Sequence, residues 1–459
     1  MSKSLLKELK SFYKKEKISM HIPGHKRGRG LGAYFTRYAA KLDMTELKGT
    51  DNLLNPTGIL KTAQDNCAKL FGAEETLFLT GGSSLGLRGA ILGCVPREGK
   101  IIVDRTCHRS VLSAIALGGA EPIFAYPTFD KKFGLYTGMP IDEISRLLTE
   151  NPDVWGAIIT SPTYYGICSD IKGISKLLHE KNKFLIVDEA HGAHFAFNKK
   201  CLPSTAMEQG ADICVQSAHK TLSALGQCSY LHIGKGARIN KDKLLRTLRL
   251  IQTTSPSYML MTSLDEAARQ MKMFGKNRLL TLTEELDALK AEVRKKTRLH
   301  FADEASLGRV QDPTRLVVDF SELGISGERA EEILQDEYGI YAEMSDFRYV
   351  VLIPTIATTK REIRQLCEAL CHIGSTVHQG SSGENSPLPK IELACSPAAA
   401  LSMDFEKVPV KAATGRISAN VVSACPPGAA VLVPGQRISE ADVAFIEKNK
   451  ITHEIEVIK

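Results

Sequence analysis

Residues 187–197 read VDEAHGAHFAF and follow directly on the apolar run FLI. Asp188 therefore stands at the polar end of a β-type run, with His191 and His194 just behind it. A second apolar run, ICV at 213–215, ends in QSAHKT, which carries Ser217, His219 and Lys220. Taken singly these residues are ordinary. A lysine past a strand is commonly solvated, and an aspartate there is commonly a turn residue or a cap. Together they suit one chemistry. A lysine amine condenses with an aldehyde to a Schiff base, and a buried acid keeps a pyridine nitrogen protonated, as pyridoxal 5'-phosphate requires. The acid belongs beneath the ring, where the opposite charge favours the ionised pair.

Such a cofactor needs a cradle for its phosphate. LFLTGGSSLGLRGAILG (77–93) reads as strand, small-residue turn, then helix. Gly82 lets the backbone approach closely, and the helix N-terminus offers N–H groups and the positive end of a dipole. Ser83 and Ser84 supply hydroxyls, and Ser217 and His219 are placed to complete the cradle. Alone, such a turn is a weak signal. His108, in VDRTCHRSVLSA, is placed to stack on the ring face opposite Lys220, although a strand-end histidine can equally face water. His191 is spaced to bond Asp188 or the cofactor, and His194 is read as structural. No metal site is expected.

The elements that must position these residues are legible as a repeat of apolar run, polar turn and helix between about 60 and 235. The expected strands are 76–80, 100–104, 122–126, 156–160, 184–188, 213–217 and 230–234. Runs apolar on both faces that alternate with helices predict a buried, mainly parallel sheet of α/β class. Ligands sit beyond the C-terminal strand ends of such sheets, and the polar clusters fall there. We expect an N-terminal arm over 1–60, a large cofactor-binding domain over 61–265 and a small α+β domain over 266–377. A Gly/Ser/Pro-rich linker over 378–390 and a C-terminal domain over 391–459 complete the division.

A surplus of only +7, from 59 basic and 52 acidic residues spread along 459, argues against a nucleic-acid partner. Eleven cysteines without a CxxC pair read as a reduced, cytoplasmic inventory. The segment MSKSLLKELKSFYKKEK has helical spacing through Leu5, Leu6, Leu9 and Phe12 and reads as a packing helix or subunit-swapped arm, not a targeting peptide. No apolar run has the length of a membrane span.

Several longer stretches carry a resemblance. SMHIPGHKRG (19–28), DMTELKGTDNLLNPTGIL (43–60), VDRTCHRSVLSAIALGGAEPIF (103–124), PTYYGICSDI (162–171) and VDEAHGAHF (187–195) come first. GADICVQSAHKTLSAL (210–225), TTSPSYMLMTSLD (253–265) and GRISANVVSACPPGAAVLVPGQRI (415–438) follow in the same order. Nearly the whole chain thus resembles the Orn/Lys/Arg decarboxylase family, in its short Gram-positive type without a wing domain. That resemblance implies the fold-type-I, aspartate-aminotransferase-like architecture with a mainly parallel seven-stranded sheet. It implies pyridoxal 5'-phosphate on Lys220, Asp188 at the pyridine nitrogen and His108 stacked on the ring. His191 falls in the family's acid-x-x-His motif, Gly82, Ser83, Ser84, Ser217 and His219 lie around the phosphate, and Thr163 lies beside O3′. TTSPS would approach the cofactor of a neighbouring subunit, which implies a homodimer or larger assembly.

The chain departs from the family at Gly81–Ser84 with Leu87, at Ala424-Cys425, and at Gln436, where Glu is common. The last two are expected to bear on substrate choice. The implied reaction is α-decarboxylation of a basic amino acid, arginine before lysine before ornithine, toward polyamines or diamines. Glu46 and Asp51 are candidates to meet the substrate's basic end, from this chain or from the opposite subunit, with turn acids or caps as the other reading. Transamination on the same scaffold and a non-catalytic homologue are the alternatives.

Overall fold

The computed structural model describes residues 4–376, 383–423 and 428–459. Seven strands form its largest sheet: β1 Glu75–Leu79, β2 Lys100–Asp104, β3 Glu121–Ala125, β4 Gly156–Thr160, β5 Phe184–Asp188, β6 Ile213–Gln216 and β7 Ser229–Ile233. Their order is β1-β7-β6-β5-β4-β2-β3. β7 runs antiparallel to both β1 and β6, and the other adjacent pairs are parallel. All seven expected strands are present, with ends shifted by no more than a residue.

The sheet is dry on both faces, which is why its strands are apolar throughout. Ile101, Val103, Ile186 and Val215 pack with Leu87, Ile91, Val111 and Ile115 of the helices on one side. Ile102, Ile159, Leu185 and Val187 pack with Ile144, Leu147, Ile174 and Leu178 on the other. Helix Gly82–Cys94 lies unusually close to the sheet and to helix Lys241–Ile251. Gly86 faces Leu79 and Val215, while Gly89 and Gly93 face Leu248 and Leu244, each with less than 3.0 Å for an added Cβ. The small residues therefore set where the helix begins.

A four-stranded antiparallel sheet follows, built from His300–Phe301, Leu316–Asp319, Tyr349–Leu352 and Met344–Ser345 in that spatial order. The expected long helix runs from Tyr258 to Lys296 with a π-helical turn at Met271–Gly275. The N-terminal segment is woven into this second unit. Ile18–Ser19 pairs in parallel with Ile340–Tyr341, and Met20 is fully buried in its core. Beyond it, Gly24 donates its N–H to the His219 carbonyl at 2.7 Å. Phe405–Pro409 and Glu454–Ile458 pair near the C-terminus. Ala424-Cys425 lie outside the described residues, as does part of the expected linker. Among the described residues no helix is long and apolar enough to cross a membrane.

Gly86→Val tests the close packing. The added methyls would meet Leu79 and Val215 at sub-contact distance, and we expect a loss of about 1–3 kcal/mol in unfolding free energy. Urea denaturation measures it; an unchanged midpoint would contradict the packing.

Candidate active site

The C-terminal ends of β1, β2, β4, β5 and β6 share one edge of the sheet, and the first residue of the antiparallel β7 joins them. Ser229 is in register with Leu79, and Asp188 with Thr160. The loops leaving that edge surround a cavity of about 560 Å³. Gly82, Ser83, Ser84, His108, Thr163, Asp188, His191, Ser217, His219 and Lys220 all line it. All ten residues expected around the cofactor therefore reach one space.

Asp188 ends β5 and is 4 % exposed. One of its oxygens accepts the Ala190 N–H at 3.2 Å. Burial pushes its carboxyl above the usual carboxylate range, and the charge of Lys220 opposes this only in part. A buried acid in that state gains most from a cation placed against it. The neighbouring Asp104 instead closes its own loop, accepting from Thr106 Oγ1 at 2.7 Å and from the Thr160 N–H at 3.1 Å.

Lys220 lies in the short helical turn Ala218–Thr221 that follows β6. Its Nζ is 3.0 Å from His191 Nε2. His191 is buried, and burial first, then the charges of Lys220 and Arg315, push it well below the ordinary histidine range. Tyr164 packs its ring edge against the imidazole, with centroids 4.8 Å apart, and its hydroxyl donates to Glu343. His219 donates from Nδ1 to the Cys228 carbonyl at 2.9 Å, which leaves Nε2 as an acceptor. His108 caps helix Arg109–Gly118, its Nδ1 accepting from the Ser110 N–H at 3.2 Å. Burial, then the Lys220 charge, depress His108 to about 4, so it faces the cavity as a neutral ring.

The turn at the start of Gly82–Cys94 gathers hydroxyls. Ser83 Oγ is 2.7 Å from Ser217 Oγ and 3.2 Å from Ser229 Oγ. Gly82 adopts φ +74°, a left-handed conformation that suits glycine. The first-turn N–H groups have no partner within the helix. Thr163 Oγ1 accepts the Ile167 N–H at 3.1 Å, which leaves its own proton to donate. This donor set, an uncompensated buried acid and a lysine amine fit pyridoxal 5'-phosphate.

Other expectations fare differently. Asp51 lies away from the cavity and receives N–H bonds from Asn52, Thr57, Gly58 and Leu60 at 2.7–3.0 Å. Those bonds outweigh burial and hold it at about 2, so it serves as a cap for helix Ile59–Phe71. Glu46 is not on the cavity wall either. Gln436 is buried in the C-terminal unit, where Oε1 accepts the Val433 N–H and Nε2 donates to Asp442, both at 3.1 Å. A glutamate there would set two carboxylates face to face. The departure at Gln436 thus concerns local packing, not the cavity. His194, expected to be structural, bonds Asp312 Oδ1 at 3.1 Å.

Sequence reading missed three contributors. Arg315 reaches His191 from the second unit, Tyr164 orients the same ring, and the C-terminal unit supplies Ala429, Val431, Phe445 and Asn449 to the wall. Gly428 at φ +81° backs directly onto His108, with 3.0 Å for an added Cβ.

Fold and site together define an α/β enzyme of fold-type-I, aspartate-aminotransferase-like architecture. The structure of E. coli constitutive lysine decarboxylase superposes with a TM-score of 0.78 at 18% identity, covering 99% of this chain and 81% of that one. L-threonine transaldolase from Pseudomonas fluorescens superposes at 0.60 and 13% identity, covering 80% and 85%. Residues 3–317 match the family described as Orn/Lys/Arg decarboxylase, major domain, and residues 383–455 match its C-terminal domain. Arginine decarboxylase from Bacillus subtilis is 34% identical over 457 residues, covering 96% of this chain and 92% of the relative. Lysine decarboxylase from Pseudomonas aeruginosa is 28% identical over 284 residues, covering 55% and 38%. The chain belongs to the Orn/Lys/Arg decarboxylase family, and its reaction class is the decarboxylation of a basic amino acid.

A pH test follows from a histidine beneath the site. His232 is fully buried between Thr76 Oγ1 at 2.7 Å and Gln216 Oε1 at 3.0 Å, and burial lowers it from 6.5 to about 3. Between those values the unfolded chain binds the proton and the folded one does not, so this group's contribution to stability falls as pH falls. The unfolding free energy of the wild type relative to His232→Gln should drop by up to about 1.4 kcal/mol per pH unit from pH 6 to 4. Urea titrations at each pH measure it; a constant difference would contradict the neutral buried ring.

Proposed function

We propose that this chain is a pyridoxal 5'-phosphate-dependent α-decarboxylase of arginine, with lysine and then ornithine as the next choices, in the formation of polyamines or diamines. The observation that carries this reading is the convergence of Asp188, His191, Lys220 and the Gly82–Ser84 turn on one cavity. The extended likeness to a Bacillus subtilis arginine decarboxylase supports arginine. Glu328 and Asp346 bring negative charge to the same wall, the sign that a guanidinium or ammonium tail requires.

Lys220 Nζ would hold the cofactor, and Asp188 would keep its ring nitrogen protonated. His108 would meet the ring without adding a charge. Ser83, Ser84, Ser217 and His219, with Gly82 and the helix N-terminus, would hold the phosphate, and Thr163 would donate to O3′. When bound, the cofactor accepts the electron pair released as carbon dioxide leaves. Lys220 Nζ and His191 Nε2 would be the groups placed to return a proton to Cα.

We also propose a homodimer or larger assembly in the cytoplasm. Leu5, Leu6, Leu9 and Phe12 are exposed along one helix, as suits an arm that packs on a second copy. The ten described cysteines are all free thiols, as suits a reducing compartment. The five-part domain division set out above is kept as part of this reading.

Carbon dioxide release from arginine, lysine and ornithine, offered separately to cofactor-loaded protein, tests the function. Release from arginine alone or above the others is expected. A keto acid without carbon dioxide would replace decarboxylation by transamination, and no cofactor binding would favour a non-catalytic homologue. Lys220→Ala should abolish trapping of the cofactor on the protein by borohydride. Asp188→Asn should retain the cofactor yet lose about 100-fold or more in turnover; undiminished turnover would remove Asp188 from its role.

A further inference from the structure

Two long helices of the second unit lie side by side. Leu289 and Val293 of Lys276–Lys296 share one core with Leu366, Leu370 and Ile373 of Lys360–Ser375. Their register is held at both ends. Lys360 Nζ pairs with Glu285 at 2.6 Å, and Gly374 backs onto Thr297, with 2.6 Å for an added Cβ. Along the seam between those points three side chains meet. Cys367 and Cys371 stand four residues apart on one helix, hence on one face, and Glu292 reaches them from the other. The two sulfurs and a carboxylate oxygen all lie within 4.8 Å of one another. Cys367 is buried, Cys371 half-buried and Glu292 exposed, so the group opens to solvent on one side. None of the three lines the large cavity.

A buried cysteine on a helix commonly fills space as a small hydrophobe. A second thiol and a carboxylate at the same point add nothing to that use. Two sulfurs and an oxygen are donors that a borderline-soft dication takes, and in tetrahedral geometry such donors stand about 3.5–3.8 Å apart. Glu292 and Cys371, the two that are not fully buried, have room to close the remaining distance.

The electrostatics agree. Two thiolates and a carboxylate around a dication leave one negative charge, and Lys296, whose Nζ donates to Glu292 Oε1 at 2.7 Å, offsets it. That bond uses one oxygen of the carboxylate and leaves the other to coordinate. Both helices end one turn further on, at Lys296 and Ser375, so the negative ends of two helix dipoles lie beside the site and favour a cation. Without one, burial and then Cys371 and Glu292 push the Cys367 thiol up to about 12, and it stays protonated.

We propose that Cys367, Cys371 and Glu292 bind one thiophilic divalent cation of the zinc class, with a solvent molecule as fourth ligand, and that the ion ties the two helices together. Each thiol gives its proton to the solvent as its sulfur coordinates, and no oxidant or reductant takes part. No CxxC pair announces the site, because a helical turn and not a loop sets the sulfurs together. The proposal does not depend on the cofactor reading.

The experiment uses the full chain, reduced with a phosphine, freed of metal by a chelator and titrated with Zn²⁺ alone against a chromophoric competitor. One equivalent is expected to bind. Cys371→Ser and Glu292→Gln should each weaken binding about tenfold or more, and Cys367→Ala should remove it. Cd²⁺ in place of Zn²⁺ should add a thiolate charge-transfer band that falls with either cysteine. Saturating Zn²⁺ should raise the urea midpoint of the wild type and not that of Cys371→Ser. The side chains of Cys371 and Glu292 are open to solvent, so those two variants keep the test decisive if Cys367→Ala unfolds. No uptake of Zn²⁺ by the reduced wild type would overturn the proposal. So would unchanged affinity in folded Cys371→Ser and Glu292→Gln, which would put the ion on other thiols. Carbon dioxide release is not among the readouts, so this proposal and the proposed function fail separately.

Discussion

The constraint on which this structure turns is the burial of one carboxylate. Asp188 sits at the end of a strand whose five residues are all buried, where an ionised acid is costly unless a cation or several donors meet it. One backbone N–H bond is a small compensation. The site is built around that deficit. Asp104, on the next-but-one strand of the same edge, has a fuller set of partners and ties loops together instead. Two similar residues at similar strand ends thus do different work, decided by how many donors surround each.

Much of this was legible in the sequence. The seven strands announced themselves because a sheet covered on both faces must be apolar throughout, and the polar clusters at their ends marked the edge that binds ligands. The ten expected site residues share a cavity because strand ends on one edge have few places to go. Lys220 and Asp188 were readable from residue type and from the strands that precede them.

What could not be read was what reaches the site from elsewhere. RLVVDF looks like a strand and nothing more, and its first residue, Arg315, gains its meaning only when a separate sheet folds against the loop of His191. Tyr164 lay within a recognised stretch but had no property to set it apart until its ring met that imidazole. Asp51 and Gln436 show the converse. Each sits in a distinctive motif, yet one satisfies a helix terminus and the other matches a neighbouring carboxylate. Sequence motifs do not separate residues that act from residues that hold the chain in place; hydrogen-bond partners do.

The cavity takes its floor from the middle of the chain and its remaining walls from regions translated long before and long after it. Gly24 clasps the carbonyl next to Lys220, and Gly428 presses on His108. During synthesis the lysine loop emerges while the segment that will back His108 is still some two hundred residues from being made. Until that segment packs against His108, the cavity lacks the part of its wall that Ala429, Val431, Phe445 and Asn449 supply. The C-terminal unit is therefore a structural part of the cavity and not an appendage to it.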